Sequence, residues 1–199
     1  MKLAVGIGLA IWFGIVFVLG AAGTFDTPQL ALPPHLLIGV VTPVAAFLVL
    51  YRAIGSFRAF VLAADLRLAI GVQAWRFAGF GFLALYAYDL LPGLFAWPAG
   101  LGDIAIGLTA PWVVQALTRR PEFAASIGFV LWHLLGLLDL VVALTTGILG
   151  SGSAIGIGGE ITTDVMGQLP LVLIPCYFVP IFIMLHLTAL LQARHLAQR

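Results

Sequence analysis

Residues 68–91, LAIGVQAWRFAGFGFLALYAYDLL, are apolar along almost their whole length, and Arg76 is their only charged residue before Asp89. A helix rises about 1.5 Å per residue, so roughly 20 apolar residues cross the hydrocarbon core of a membrane. Five further stretches have similar length and character. The sequence therefore predicts an all-α membrane protein with six transmembrane helices, at residues 3–23, 34–50, 68–91, 95–117, 123–149 and 169–191.

The composition of the 199-residue chain fits this fold class. Only 9% of the residues are charged and 62% are hydrophobic, whereas about a quarter of the residues in soluble proteins are charged. No polar block interrupts the apolar runs, so we expect one integral membrane domain over residues 1–199. The formal net charge of +1 offers no basic face for nucleic acid. The expected partners are the lipid bilayer and either a second copy or an operon-encoded protein.

The basic residues predict the orientation of the six spans, because lysine and arginine near span ends stay in the cytoplasm. All of them except Arg76 fall before span one, after span six, or in the connections between spans two and three and between spans four and five. We therefore expect a multi-pass protein of the inner (plasma) membrane with both termini in the cytoplasm. An alternative for the first span is a cleaved signal peptide, since Lys2, an apolar core and the small residues GAAG also fit that pattern.

Three further patterns concern the arrangement of the helices. Each odd-numbered span carries a tryptophan and each even-numbered span begins near a Leu-Pro pair, as three parallel helical hairpins would. Prolines inside the even spans predict kinks there, and each frees the carbonyl four residues earlier, such as that of Cys176 before Pro180. Residues 52–67 mix arginine with phenylalanine, which is typical of an interfacial helix. A plain extension of spans two and three is the alternative.

Five ionisable residues lie in the interior of the predicted spans, where each costs roughly 2.5–3.5 kcal/mol on insertion scales; they are Arg76, Asp103, His133, Asp139 and His186. Counting along the helices puts Asp103 and Asp139 about 24 Å from the cytoplasmic boundary and Arg76 and His133 about 14–15 Å from it. His186 falls somewhat lower, and this position near the boundary favours a passive role.

Small residues predict where these charges point. Gly100, Asp103, Gly107 and Ala110 share one stripe of span four, a surface that lets another helix backbone approach closely. The sequence therefore predicts a polar pocket between spans three, four and five that opens outward. Its expected solute or ion pathway consists of Asp103, Asp139, Arg76 and His133. Secondary candidates are Gln73, His186, His35 and Asp89.

Three functions remain open from the sequence. Two carboxylates at one depth with an arginine below them are typical of a small-solute transporter or permease component coupled to protons or cations. A redox or enzyme subunit could instead hold haem or quinone through His133, with His186 or His35. A scaffold would use the same polar residues only to orient helices. No zinc-protease, nucleophile-elbow or phosphate-loop motif occurs in a usable context, so we expect no metal, predict no cofactor, and favour a transporter over an enzyme.

Overall fold

The computed structural model describes residues 1–26, 34–153, 155–157 and 159–198, and at residues 34 and 35 the backbone alone. The described residues form helices and no strand. Six helical segments are long and apolar enough to cross a membrane, which confirms an all-α fold with six helices of spanning length. These spans one to six are Lys2–Ala21, Leu36–Ala53, Leu66–Ala87, Gly93–Arg119, Ile127–Leu149 and Ile174–Ala197.

The helices within these spans begin and end near the predicted bounds, except in span six, which is shifted from 169–191 toward the C-terminus because residues before Ile174 form turns. Since six spans alternate in direction, both termini lie at one end of the bundle, here called the termini end, and the other is the opposite end. The α-helices are α1 (Lys2–Ala21), α2 (Pro34–Ala53), α3 (Gly55–Leu62), α4 (Leu66–Val72), α5 (Phe80–Ala87), α6 (Gly93–Arg119), α7 (Ile127–Leu149) and α8 (Val179–Ala197).

Span three departs from a regular helix, although it contains no proline. Between α4 and α5 the chain forms a 3₁₀-helix over Gln73–Gly79, the tighter helix that within a span often marks a functional site or strain. The cause lies in its contact with α6. A Cβ atom on Gly79 would lie 2.7 Å from the carbonyl oxygen of Gly100, and one on Gly107 would collide with the backbone of Phe77. The predicted small-residue stripe of span four is thus confirmed as a surface of close backbone approach.

The prolines account for only part of the helix irregularity. Span four stays one α-helix across Pro98 and Pro111, whereas span six begins with a π-helix over Ile174–Phe178. The indole Nε1 of Trp12 donates to the carbonyl oxygen of Cys176 at 3.0 Å. This is the carbonyl that Pro180 deprives of a helical partner, so span one supplies the donor that span six lacks.

The segment 52–67 contains a separate helix, α3, that ends at Leu62 before α4 begins at Leu66. The alternative of a plain extension of spans two and three is therefore wrong. The side-chain Nε2 of Gln192 in α8 donates to the carbonyl oxygens of Val61 and Ala64, both at 2.9 Å. These bonds fasten α3 to the termini end of span six. Its position in the plane of a membrane stays a prediction, as do the three-hairpin repeat and the signal peptide.

Candidate functional site

Arg76 lies at the centre of the bundle, with a side chain that is 0% exposed. The 3₁₀-helix of span three presents it to spans four, five and six at once. Its Nε donates to Oδ1 of Asp103 at 2.7 Å and its Nη2 to Oδ2 of Asp139. Its Nη1 donates to the carbonyl oxygen of Gly136 at 3.3 Å and contacts Nε2 of His186 at 3.2 Å. Every nitrogen of the guanidinium therefore has a partner.

The two aspartates share this one guanidinium. Asp103 comes from α6 and Asp139 from α7, and their side chains are 17% and 11% exposed. Gly102 lies directly against the carboxylate of Asp139, so any side chain at position 102 would displace it. Both aspartates thus contact Arg76 directly, although counting along the helices puts Arg76 roughly 10 Å nearer the cytoplasmic boundary. One positive and two negative charges converge here.

Two histidines complete the cluster on its termini side. Nδ1 of His133 and Nδ1 of His186 are 2.8 Å apart, and the two residues are 1% and 0% exposed. Gly136 makes room for the His186 ring, since a Cβ atom at that position would collide with it. His186 thus belongs to the buried cluster and contacts Arg76 and His133 directly. Counting from Arg194 placed it too low to matter, but α8 runs on to Ala197 and that arginine is not the end of the span.

Gln73 lies one turn before Arg76 in span three, and its side chain contacts span six. Its Nε2 donates to the carbonyl oxygen of Phe182 at 3.3 Å. Its Oε1 has no hydrogen-bond partner among the described residues, and neither has Nε2 of His133. Gln73, a secondary candidate from the sequence, therefore contacts span six.

A cavity of about 80 Å³ reaches Asp103 from the opposite end of the bundle. Its walls are mainly apolar, and Asp103 and Asp164 are the charged residues of its lining. The sequence predicted a pocket between spans three, four and five, but spans two and six also line this one. Its lining includes Leu36, Phe82, Phe95, Leu140, Leu144, Ile174, Val179, Ser151, Ser153 and Thr163.

The other end of the cluster is closed by packing. Ile70, Ala110, Phe129 and Ala189 are fully buried members of one apolar group on the termini side. The ring of Phe129 lies edge-on to that of His133, with centroids 4.5 Å apart. The charged centre thus meets a cavity on one side and a close-packed apolar layer on the other.

The two remaining secondary candidates are Asp89 and His35. Asp89 is exposed in the turn between spans three and four, where it takes a left-handed conformation with φ of 57°. Aspartate tolerates this conformation better than most residues. The side chain of His35 lies outside the described residues.

Comparison with known proteins places the chain in a family. Residues 33–194 match a domain of unknown function, DUF8737. The chain belongs to this family. Neither the curated proteins nor the solved structures include a match. The DUF8737 match covers spans two to six and includes every residue of the charged cluster, whereas α1 precedes it.

Within the DUF8737 domain, the donor set limits what the site can hold. Among the described residues, no group of three or more His, Cys, Asp or Glu side chains could hold a metal ion. Metal–nitrogen bonds are about 2.0–2.1 Å long, so two histidines on opposite sides of an iron would hold their nitrogens about 4 Å apart. The 2.8 Å between the Nδ1 atoms of His133 and His186 suits a hydrogen bond and not a shared haem iron.

Proposed function

We propose that this DUF8737 protein transports a small solute across the cytoplasmic membrane together with, or in exchange for, protons or another monovalent cation. Asp103 and Asp139 are the coupling carboxylates and Arg76 is their fixed counter-charge. The observation that carries the proposal is the single buried guanidinium shared by two carboxylates, one of which lines a cavity that reaches the opposite end.

The charges of the cluster do not balance. With neutral histidines, Arg76 contributes one positive charge and the two aspartates two negative charges. Burying an uncompensated charge in a low-dielectric interior is expensive. The cluster reaches neutrality when one further proton or monovalent cation binds, and Asp103 is where a ligand from the cavity would first meet it. A simple structural ion pair would need only one aspartate.

The cavity indicates the class of solute. Its walls are mainly aliphatic and aromatic, and the charged residues of its lining are two aspartates, Asp103 and Asp164. Pockets of this kind bind a largely apolar molecule and orient it through a few polar contacts. We therefore expect a small solute that offers Asp103 a hydrogen-bond donor or a positive charge. On this proposal, solute and proton compete for, or share, the same carboxylates.

Purified protein in liposomes tests the proposal with the proton itself as the probe. A potassium diffusion potential drives cation entry, and a trapped pH-sensitive dye reports acidification of the lumen. We expect the wild-type protein to acidify the lumen faster than empty liposomes, and Asp103→Asn to abolish the difference. Repeating the assay with sodium at constant pH and a trapped sodium-sensitive dye distinguishes a proton from another cation.

Asp65→Asn is the matched control. It makes the same chemical change at an exposed aspartate outside the spans, where asparagine also caps a helix well, so its rate should equal that of the wild type. A scaffold predicts that neither aspartate affects ion entry. Equal rates for wild type, Asp103→Asn and empty liposomes, with both cations, would contradict a cation path through Asp103.

A further inference from the structure

The hydrogen-bond geometry around Arg76 determines where the histidines carry their protons. The guanidinium has only donors, and its Nη1 lies 3.2 Å from Nε2 of His186. Nε2 of His186 must therefore be an acceptor without a proton. An imidazolium has N–H on both ring nitrogens, so this contact excludes it. His186 is neutral, and its single proton is on Nδ1.

The same reasoning extends to the second ring. Nδ1–H of His186 faces Nδ1 of His133 at 2.8 Å, so Nδ1 of His133 is the acceptor. A neutral His133 then carries its proton on Nε2. The donors thus point in one direction, from Arg76 through His186 to His133. This series of hydrogen bonds ends at Nε2–H of His133, which is buried and has no partner among the described residues.

A buried hydrogen-bond acceptor without a partner, in Gln73, lies at about the same height in the bundle as His133. Oε1 of Gln73 is also enclosed and without a partner in the described part of the chain. Gln73 precedes Arg76 by one helical turn in span three, and His133 precedes Gly136, which Arg76 contacts, by one turn in span five. Both spans run away from the termini end, so both side chains lie one turn on the termini side of the guanidinium. Buried polar atoms of this kind usually bind ordered water.

We propose that Gln73 and His133 hold one buried water molecule, which accepts from Nε2–H of His133 and donates to Oε1 of Gln73. For a role in transport this inference rests on the proposed function, because the water would continue the polar path past Arg76 toward the termini end. Arg76 then separates two polar sites, the carboxylates that face the cavity and a water site that faces the apolar layer.

Nitrogen-15 NMR of the full-length protein in lipid bilayers, with labelled histidine, tests the inference without any transport assay. We expect His186 to be the Nδ1–H tautomer, which is the less common form of free histidine, and His133 to be the Nε2–H tautomer. Magnetisation transfer from water should reach Nε2–H of His133. A proton on Nε2 of His186 would overturn the inference. So would Nε2–H of His133 without water contact, which would mean that it donates to the Phe129 ring instead.

Gln73→Leu removes the acceptor and should abolish the water contact of His133 while leaving His186 as the Nδ1–H tautomer, because Arg76 sets that tautomer. Gln192→Leu is the matched control, since this buried glutamine bonds to the end of α3 and should leave both histidine signals unchanged. If Gln73→Leu does not fold, the wild-type spectrum alone decides. If NMR shows the water contact but the liposomes show no ion flux, this inference holds and the proposed function fails. If the liposomes show ion flux but NMR shows no water contact, the proposed function holds and this inference fails.

Discussion

The two sides of Arg76 provide opposite environments for the same guanidinium. On the side of the opposite end it meets two carboxylates that remain 17% and 11% exposed, beside a cavity. On the termini side it meets a neutral imidazole that is 0% exposed, backed by an apolar layer that contains Phe129 and Ile70. The carboxylates lie beside the cavity, and the histidine rings are backed by apolar side chains. The comparison indicates that the charged centre has access from one end only.

Removing the guanidinium should have the largest effect. Arg76→Leu leaves two carboxylates without their counter-charge in the centre of the bundle, and breaking a buried ion pair in this way costs roughly 3–5 kcal/mol. We expect a large loss of folded protein, measured by thermal unfolding in detergent and by size-exclusion elution.

Adding Asp103→Asn and Asp139→Asn to Arg76→Leu is the sharper control. If the loss arises from uncompensated charge, the neutral triple variant should be more stable than Arg76→Leu alone, because replacing all partners of a buried ion pair is often tolerated. Equal stability of wild type and Arg76→Leu would show that the carboxylates do not depend on the guanidinium.

Crowding the termini side should have a smaller effect. Gly136→Ala places a methyl group against the His186 ring, and such overpacking typically costs about 1–3 kcal/mol. We expect a lower unfolding midpoint than for the wild type. Gly71→Ala is the matched control, since a Cβ atom there meets nothing within 4 Å. An unchanged midpoint for Gly136→Ala would mean that the His186 ring is not held where the structure has it.

From the sequence we could predict much of the site on the side of the aspartates and little of it on the side of the histidines. Apolar length placed the six spans, and the small-residue stripe correctly oriented Asp103 toward a helix contact. The 3₁₀-helix at Gln73–Gly79 has no local signal, because it follows from the close approach of α6 and not from a proline. Counting along the helices puts His186 only about 3 Å lower than His133. A side chain can span that difference, so the counted depth is compatible with a contact between the two rings. Gly136 lies one helical turn from His133, and its lack of a side chain leaves room for the His186 ring.

Replacing an exposed aspartate should have the smallest effect on stability, and it provides a reference for the two buried aspartates. Asp65 caps α4, and its Oδ1 accepts from the backbone N–H of Arg67 at 2.8 Å, which lowers the pKa of Asp65 below its ordinary value of 3.8. A lowered folded-state pKa means that the contribution to stability is complete above pH 3.8 and disappears as the pH falls through the folded value. Asp65→Asn should leave the unfolding midpoint nearly unchanged at neutral pH and flatten its fall in acid. A wild-type curve no steeper than that of the variant would contradict the cap.

Cysteine labelling measures from which end of the bundle the charged centre is accessible. In a Cys176→Ala background, Ala143→Cys places a thiol beside the cavity near Asp139 and Ala189→Cys places one in the apolar layer of the termini side. A membrane-impermeant, charged thiol reagent should modify Ala143→Cys from the opposite end of the bundle and leave Ala189→Cys unmodified from either end. Faster modification of Ala189→Cys, or labelling of Ala143→Cys only from the termini end, would contradict the account.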